Sequence, residues 1–282
     1  MSKKNSSVNL KNGFKEFKDL SKIFSNFKNK LNLTHKKKFV VAVSGGPDSL
    51  ALAALTKAYT YYHKSKFYYV LINHNIRKNS LQEAKKVKNL LKKKQINLKI
   101  ISNKKKVKKN IQGEARNIRY ELLSNFCLKT DIRSLITAHN LEDQVETFLI
   151  RLSRGSGLRG LSAMRPKSKI NNKIDLYRPL LDTKKEFLIK ISKNTFGNFI
   201  KDPSNKNLKY LRTKVRSLKK PLEKSGVEYE QIFKSIRNLS DSRDSLDDFL
   251  KKEFSKIIKK KNSEILINLK KFKKDRKSTR LN

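Results

Sequence analysis

The chain has one cysteine, few acidic residues and no long apolar run. A single cysteine, Cys127, excludes an internal disulfide. No uninterrupted apolar stretch approaches the roughly 18 residues of a membrane-spanning helix, and no apolar segment follows the early lysines as in a signal peptide. We therefore expect a soluble cytoplasmic protein. Cys127 lies in an apolar helical stretch, so we expect an inert core thiol there.

The scarcity of acids leaves a large positive charge. There are 69 lysines and arginines against 24 aspartates and glutamates, a formal charge of +45. Such a surplus favours a polyanionic partner, nucleic acid above all, because binding releases condensed counterions. Part of the surplus could instead reflect an AT-rich coding sequence. A membrane surface is less favoured, since the lysine runs are scattered rather than set on one amphipathic helix.

Strand-like and helix-like segments alternate strictly in the first half of the chain. The strand-like segments are residues 38–44, 66–74, 97–102 and 132–139, and the helix-like segments that follow them are 47–63, 80–94, 111–129 and 141–153. This order predicts an α/β fold with a Rossmann-like parallel sheet covered by helices on both faces.

Three regions are predicted along the chain. Residues 1–37 read as a basic leader, 38–215 as the α/β domain and 216–282 as a smaller helical domain with a basic tail. Within them we expect a flexible stretch at 155–161, a polar loop at 165–173, a short extended piece at 176–181, a helix at 183–197, a turn at 201–207 and mainly helix from 208 to about 260. The final residues, 270–282, predict a disordered tail or a truncated chain.

A tight loop joins the first strand to the first helix. It reads Ser44, Gly45, Gly46, Pro47, Asp48, Ser49. The glycines leave their N–H groups open to an oxyanion, the two serines add hydroxyl donors, and the helix directs its positive end at the same point. Asp48 would repel a phosphate unless a divalent cation bridges the two. The loop therefore predicts a phosphate-binding site in which Asp48 binds a divalent cation.

Other readings of this loop are weaker. No Gly-Lys-Ser/Thr follows, as a Walker loop requires, and the spacing does not fit G-x-G-x-x-G. A merely structural turn with a helix cap at Ser49 remains the alternative.

A second constellation follows the fourth predicted strand. His139, Asp143 and Glu146 are spaced i, i+4 and i+7, which on a helix places them within about 60° on one face. Two acids beside a histidine predict a pocket for a cation, either a metal or an amine. A surface salt-bridge patch is the alternative, and zinc is disfavoured because no cysteines or H-E-x-x-H pattern accompany the site.

The loop S-G-G-x-D-S resembles the pyrophosphate loop of the N-type ATP pyrophosphatases, the PP-loop superfamily. Further stretches resemble the tRNA(Ile)-lysidine synthases in order: INHNIR, IQGEARNIRY, AHNLEDQVETFLIRLSRGSGLRGL, RPLL and DPSNKNLKYLRTKVR. The resemblance covers roughly residues 38–222. Asn75 stands where that family has glycine, and Thr213 where it has asparagine.

This resemblance implies an ATP- and Mg²⁺-dependent ligase. Family members join free L-lysine to C2 of the wobble cytidine in the CAU anticodon of tRNA(Ile), through an adenylated cytidine, and so change decoding from AUG to AUA. It implies a catalytic α/β domain and a helical domain that contacts tRNA. It also implies ATP at Ser44 to Ser49 and Mg²⁺ on Asp48.

The remaining chemistry suggests roles for the other candidates. A lysine amine is protonated at neutral pH, so Asp143 and Glu146 would hold it, and His139 or one of the acids would take its proton. Arg119 and Arg212 are candidates for binding the phosphate or the AMP leaving group. Candidates for nucleotide, substrate or tRNA contact are Asn73, His74, Arg77, Arg116, Arg154 and Arg216. The arginines of 111–129 could also be plain surface charges, and residues 154–160 either a gate or a linker.

Three rival functions are disfavoured. A tRNA thiolation enzyme on the same core generally uses several cysteines, an amidotransferase relative needs a glutaminase domain, and an inert RNA-binding protein would not need the carboxylates. The sequence leaves a homodimer open.

Overall fold

A six-stranded sheet lies at the centre of the computed structural model, which describes residues 8–77, 79–104, 111–200, 210–261 and 264–267. Its strands are β1 (Lys38–Val43), β2 (Lys66–Asn73), β3 (Leu98–Ser102), β4 (Ser134–Ile136), β5 (Lys167–Ile170) and β6 (Ile174–Tyr177). The spatial order is β3-β2-β1-β4-β6-β5. All pairs are parallel except β5 with β6, so the predicted Rossmann-like parallel sheet is confirmed, with one antiparallel edge strand.

Helices cover both faces of this sheet. Those in the α/β part are α1 (Lys18–Asn32), α2 (Pro47–Tyr59), α3 (Ser80–Lys92), α4 (Ile111–Lys129), α5 (Leu141–Leu152), α6 (Leu158–Leu161) and α7 (Lys185–Phe196). Those that follow are α8 (Leu211–Ser217), α9 (Lys219–Lys224) and α10 (Tyr229–Ile257), and a hairpin of β7 (Ile258–Lys261) and β8 (Glu264–Ile267) comes after them. None of the described helices is long and apolar enough to cross a membrane.

The two faces of β1 lie in two hydrophobic clusters. Phe39, Val41 and Val43 pack with α1, α2, α3 and α7, whereas Val40 packs with α4 on the other side. A central parallel strand is buried on both faces, which explains its nearly continuous apolar sequence. Cys127 is in the α4 cluster and fully buried, as expected, and burial raises the pKa of its thiol to about 12.

Some local predictions were wrong. The expected polar loop at 165–173 is the β5-β6 hairpin, because Asn171 and Asn172 adopt the left-handed backbone (φ 49° and 54°) that tight hairpin turns require. The expected flexible stretch 155–161 contains α6, and helix gives way to the β7-β8 hairpin after Ile257. The predicted turn at 201–207 and the tail at 270–282 lie outside the described residues.

The N-terminal segment, expected as a leader, contributes to the main core. Phe24, Phe27 and Leu31 of α1 are buried against α2. The backbone N–H of Val8 donates to Asn194 O in α7 at 3.1 Å. These contacts make the described residues before β1 part of the packed unit.

We expect Leu31→Ala to lower the free energy of unfolding by about 2–5 kcal/mol, because it leaves a cavity in a core site. Leu31 is 2% exposed, whereas Leu33, two residues later, is 77% exposed. Leu33→Ala is therefore the matched control and should change stability by less than about 0.5 kcal/mol. Urea denaturation measures both; equal small effects would show that α1 does not pack in solution as described.

Candidate active site

The loop between β1 and α2 lies at the carboxyl end of the sheet, where ligands bind in folds of this type. Gly45 has a left-handed backbone (φ +84°), and a Cβ there would lie 2.5 Å from Val87 Cγ2 of α3. Only glycine fits this position without strain. Pro47 is the first helical residue of α2, where its missing N–H costs nothing.

Ser49 closes this loop from inside. Its Oγ accepts hydrogen bonds from the backbone N–H groups of Ser44 and Gly45, both at 3.1 Å, and donates to Gly46 O at 3.0 Å. Ser44 Oγ lies 3.1 Å from the same hydroxyl. Ser49 and the Gly45 amide are thus used within the loop. The donors facing an anion are then Gly46 and the first-turn amides of α2, which have no partner within the helix.

Asp48 in this first turn is the first of the carboxylates predicted from the sequence. Its Oδ1 is buried without a hydrogen-bond partner in the described structure, and its Oδ2 lies 3.8 Å from Lys185 Nζ at the start of α7. Burial raises the pKa of Asp48 to about 6; Lys185 opposes this shift, and the nearby charges of Asp143 and Glu142 add to it. A buried carboxylate oxygen with no protein partner suits Mg²⁺, which typically takes one or two carboxylates together with substrate phosphates. Among the described residues no group of three His, Cys, Asp or Glu side chains forms a metal site.

The second constellation is arranged differently from the prediction. Asn140 caps α5, and its side chain and that of Asp143 accept each other's backbone N–H at 2.9 and 3.1 Å. His139 therefore lies before the helix, not on its face. Its Nδ1 is 2.9 Å from Thr137 Oγ1.

His139 is half-buried, and its surroundings disfavour the charged imidazolium. Desolvation is the main cause, and the surrounding arginines Arg178, Arg116, Arg212 and Arg119 add to it, so that the pKa falls to about 3. A histidine with so low a pKa is a weak base at neutral pH.

The two predicted acids are bound by two arginines of α8. Arg212 donates from Nε to Glu146 Oε2 at 2.8 Å, and a terminal nitrogen of the same guanidinium reaches Asp143 Oδ1 at 3.0 Å. Arg216 binds both oxygens of Glu146, at 2.7 and 3.0 Å. Glu146 is only 2% exposed, so these charge-assisted bonds neutralise a buried carboxylate. The structure thus joins acids and arginines for which the sequence predicted separate roles.

Sequence reasoning missed a second layer of charge beside them. Glu142 accepts the backbone N–H of Lys185 through Oε2 at 2.9 Å and lies 3.3 Å from Lys219 Nζ through Oε1. The only feature of the sequence that could have indicated this role for Glu142 is its position next to Asp143 in a chain with few acids. The resulting cluster, called the charge cluster below, has four acids and four cations: Asp48, Glu142, Asp143, Glu146, Lys185, Arg212, Arg216 and Lys219.

The end of β2 lies at the same edge of the sheet. Asn73 is buried, and its Nδ2 donates to Asn75 Oδ1 at 2.7 Å. Both ring nitrogens of His74 are buried without a hydrogen-bond partner in the described structure, and burial lowers its pKa to about 4. Arg77 is exposed and pairs with Glu83 at 3.0 Å. His74 therefore keeps two ring nitrogens without a partner among the described residues, whereas Arg77 is turned to α3.

The remaining predicted arginines divide into two groups. Arg116 and Arg119 belong to α4, and their charges help to lower the pKa of His139. Arg116 also stacks over Tyr120 at 5.1 Å. Arg154 is exposed beyond the end of α5 and is not brought into the charge cluster.

The segment expected as a gate or linker is tied to two helices. Arg151 of α5 donates to Gly160 O at 2.8 Å and Ala163 O at 2.9 Å. Arg243 of α10, only 4% exposed, donates to Ser162 Oγ at 2.7 Å. These bonds connect α10 to the helix that carries Glu146.

Comparison with known proteins identifies the family of this chain. A family model described as the PP-loop domain matches residues 18–222. The chain therefore belongs to the PP-loop family. Similar curated proteins are the tRNA(Ile)-lysidine synthases of Wolbachia pipientis wMel (38% identical, covering 76% of this chain and 50% of the relative), Orientia tsutsugamushi (41%, 66% and 42%) and Zymomonas mobilis (33%, 79% and 68%). Within the PP-loop family the chain belongs to the tRNA(Ile)-lysidine synthase family.

The chain spans about half the length of the Wolbachia and Orientia relatives. Among solved structures, the U34-tRNA thiolase NcsA from Methanococcus maripaludis with its [4Fe-4S] cluster has a TM-score of 0.62 at 18% identity, covering 77% of this chain and 78% of that one. At this identity the likeness shows the fold alone.

We expect Gly45→Ala to destabilise the protein more than Gly155→Ala. Both glycines have positive φ, so alanine is strained at each by about 1–2 kcal/mol. A Cβ at Gly155 meets nothing within 4 Å, whereas at Gly45 it overlaps Val87. The overlap should lower the free energy of unfolding of Gly45→Ala, measured by urea denaturation, by a further amount of about 1–3 kcal/mol. Combining Gly45→Ala with Val87→Ala should abolish this extra loss. Equal losses at the two glycines would contradict this.

We expect Asp48→Asn to stabilise the protein at pH 7.5. The folded-state pKa of about 6 lies above the reference value of 3.8, so the folded state binds an extra proton between these values and stability falls as pH rises through them. Asparagine removes this penalty, a gain of on the order of 1–3 kcal/mol at pH 7.5 that should shrink towards zero near pH 4.

Urea denaturation in EDTA at several pH values measures this gain. Asp241→Asn, at an exposed position of α10, controls for removal of one negative charge. A loss of stability at pH 7.5 in Asp48→Asn would show that the carboxylate is structural.

Proposed function

We propose that this chain performs ATP-dependent ligation of lysine to C2 of the wobble cytidine of the CAU-anticodon tRNA(Ile), through an adenylated cytidine. The observation that carries the proposal is that two features meet in one charge cluster. One is the phosphate-type loop with Asp48, and the other is the acid pair, Glu146 buried and Asp143 half-buried, bound to the guanidinium groups of Arg212 and Arg216. Glu142 and Lys185 link the two features, because Glu142, next to Asp143, accepts the Lys185 N–H at 2.9 Å and the Lys185 ammonium lies 3.8 Å from Asp48 Oδ2. Membership of the lysidine synthase family supports the same reaction.

In the first step, cytidine O2 would attack the α-phosphorus of ATP and release pyrophosphate. Gly46 and the first-turn amides of α2 would bind the pyrophosphate at the positive end of the helix. Asp48 Oδ1 would hold Mg²⁺, which would neutralise the departing charge. Ser49 would stabilise the loop conformation by accepting hydrogen bonds from the backbone N–H groups of Ser44 and Gly45.

In the second step, the lysine ε-amine would displace AMP from C2. Its ammonium needs acids, and Asp143 and Glu146 are the acids present, but Arg212 and Arg216 occupy them. We propose an exchange in which the incoming ammonium replaces a guanidinium on the acid pair. The freed arginine then becomes a planar donor for the phosphate of AMP. Both arginine side chains are about one-third exposed, which leaves them room to move.

The ammonium must then lose a proton. With a pKa of about 3, His139 is poorly matched to this task. Of the two acceptors that the sequence allowed, we favour the carboxylates, because the ammonium would already be bound to them. His139 would instead act as a neutral hydrogen-bonding group in the site.

The tRNA would contact the basic surface around this site. The sequence favoured the helical region after residue 215, but α10 contains six acids and six basic residues: Glu230, Asp241, Asp244, Asp247, Asp248, Glu253, Lys234, Arg237, Arg243, Lys251, Lys252 and Lys256. A helix without net charge attracts a polyanion poorly. Among the described residues we favour Arg116 and Arg119, which are exposed on α4 and whose charges act on His139.

Thiolation is the competing function on this fold. Cys127, however, is fully buried in the α4 cluster, and burial raises the pKa of its thiol to about 12. A buried thiol with so high a pKa does not provide a thiolate nucleophile.

One assay separates the two half-reactions. The protein is incubated with Mg²⁺, CAU tRNA(Ile), and either ATP labelled at the α-phosphate or labelled lysine, and transfer of each label to tRNA is measured. We expect Glu146→Gln to slow lysine transfer on the order of 100-fold and adenylation far less, because the amine loses its charged acceptor. Glu186→Gln, at an exposed position of α7, is the control. Equal loss in both half-reactions would place Glu146 at the nucleotide, and no lysine transfer by the unmodified protein would refute the proposed function.

A further inference from the structure

The phosphate loop has no lysine of its own. Between Ser44 and Ser49 the sequence contains no basic side chain, and its one charge is the carboxylate of Asp48. A polyphosphate at this loop needs cationic contacts as well as amides, and phosphate-binding loops of other families carry a lysine for this purpose. A cation for this loop must therefore come from elsewhere in the fold.

Lys185 is placed to provide it. It is the first residue of α7, some 140 positions after the loop, and its ammonium is 3.8 Å from Asp48 Oδ2. The backbone N–H of Lys185 donates a hydrogen bond to Glu142 Oε2 at 2.9 Å. The position of Lys185 is thus fixed by its main chain, while its side chain, one-third exposed, extends to the mouth of the loop.

Lys185 is also the most weakly engaged cation of the charge cluster. Arg212 and Arg216 bind Glu146 at 2.7 to 3.0 Å, and Lys219 lies 3.3 Å from Glu142. In the described part of the chain, by contrast, the Lys185 ammonium has no acceptor within hydrogen-bonding distance, only the longer ion pair with Asp48. A phosphate oxygen could recruit it without breaking a hydrogen bond.

We propose that Lys185 is a catalytic residue that binds the β- and γ-phosphates of ATP and the pyrophosphate that leaves. A lysine is suited to this because it is a compact charge on a flexible stem that can follow a moving anion. The same side chain would neutralise Asp48 before nucleotide arrives. This inference rests on the proposed use of ATP.

Calorimetric titration at pH 8, without tRNA or lysine, tests it with three probes: Mg²⁺-ATP, Mg²⁺-pyrophosphate and AMP. We expect Lys185→Met to weaken ATP and pyrophosphate binding about 10- to 100-fold and AMP binding less than about twofold, because only the terminal phosphates lose a charged partner. Lys185→Arg should restore part of the affinity. Lys184→Met is the matched control, since the neighbouring Lys184 pairs with Glu230 instead and should leave all three affinities within about twofold.

The outcomes separate this inference from the proposed function. If the unmodified protein binds neither ATP nor pyrophosphate, the proposed function fails. If it binds both and Lys185→Met binds them equally well, only the role of Lys185 is refuted. Equal weakening of ATP, pyrophosphate and AMP binding would also refute the role of Lys185, because it would indicate a general disturbance of the site. Lys185→Gln in the same titrations controls for an effect peculiar to methionine.

Discussion

The buried carboxylate of Glu146 is the constraint on which this site depends. A charge with 2% exposure is stable in a protein only when it is paired and fully hydrogen-bonded. Arg212 and Arg216 meet that requirement from α8, so α8 must lie against α5 wherever Glu146 is ionised. The same pairs therefore join the region after β6 to the sheet, and the substrate chemistry proposed here must compete with a bond that also supports the fold.

Asp48 shows the opposite condition. Its Oδ1 is buried without a partner, and the protein retains an ionisable group that burial penalises. Natural proteins break the rules of polar satisfaction mainly at functional sites, where a ligand completes the arrangement. Both oxygens of Glu146 are thus hydrogen-bonded within the protein, whereas Asp48 Oδ1 keeps its capacity to bind a ligand. The charge cluster therefore has one carboxylate that is fully paired and one that is not.

The parts that sequence could predict are local ones. β1, the loop and α2 follow one another directly, so apolar pattern, glycines and helix start all appear within one short stretch. The hairpin of β5 and β6 was missed because its asparagine turn lies among polar residues that look like a loop. His139 was placed on a helix face because spacing alone does not show where the cap lies, and Asn140 in fact starts the helix after it.

Long-range pairing was less accessible. Lys185 stands beside Lys184 in a chain with 69 basic residues, so nothing in its sequence context separates a site lysine from a surface one. What distinguishes the two is the fold: Lys184 pairs with Glu230 of α10, whereas Lys185, one residue later, is turned to Asp48. At the start of α7 the N-cap Lys184 thus makes a structural contact, whereas the first helical residue, Lys185, faces the loop. In a chain this basic, position relative to a buried acid, rather than charge itself, decides which cation can take part in the chemistry.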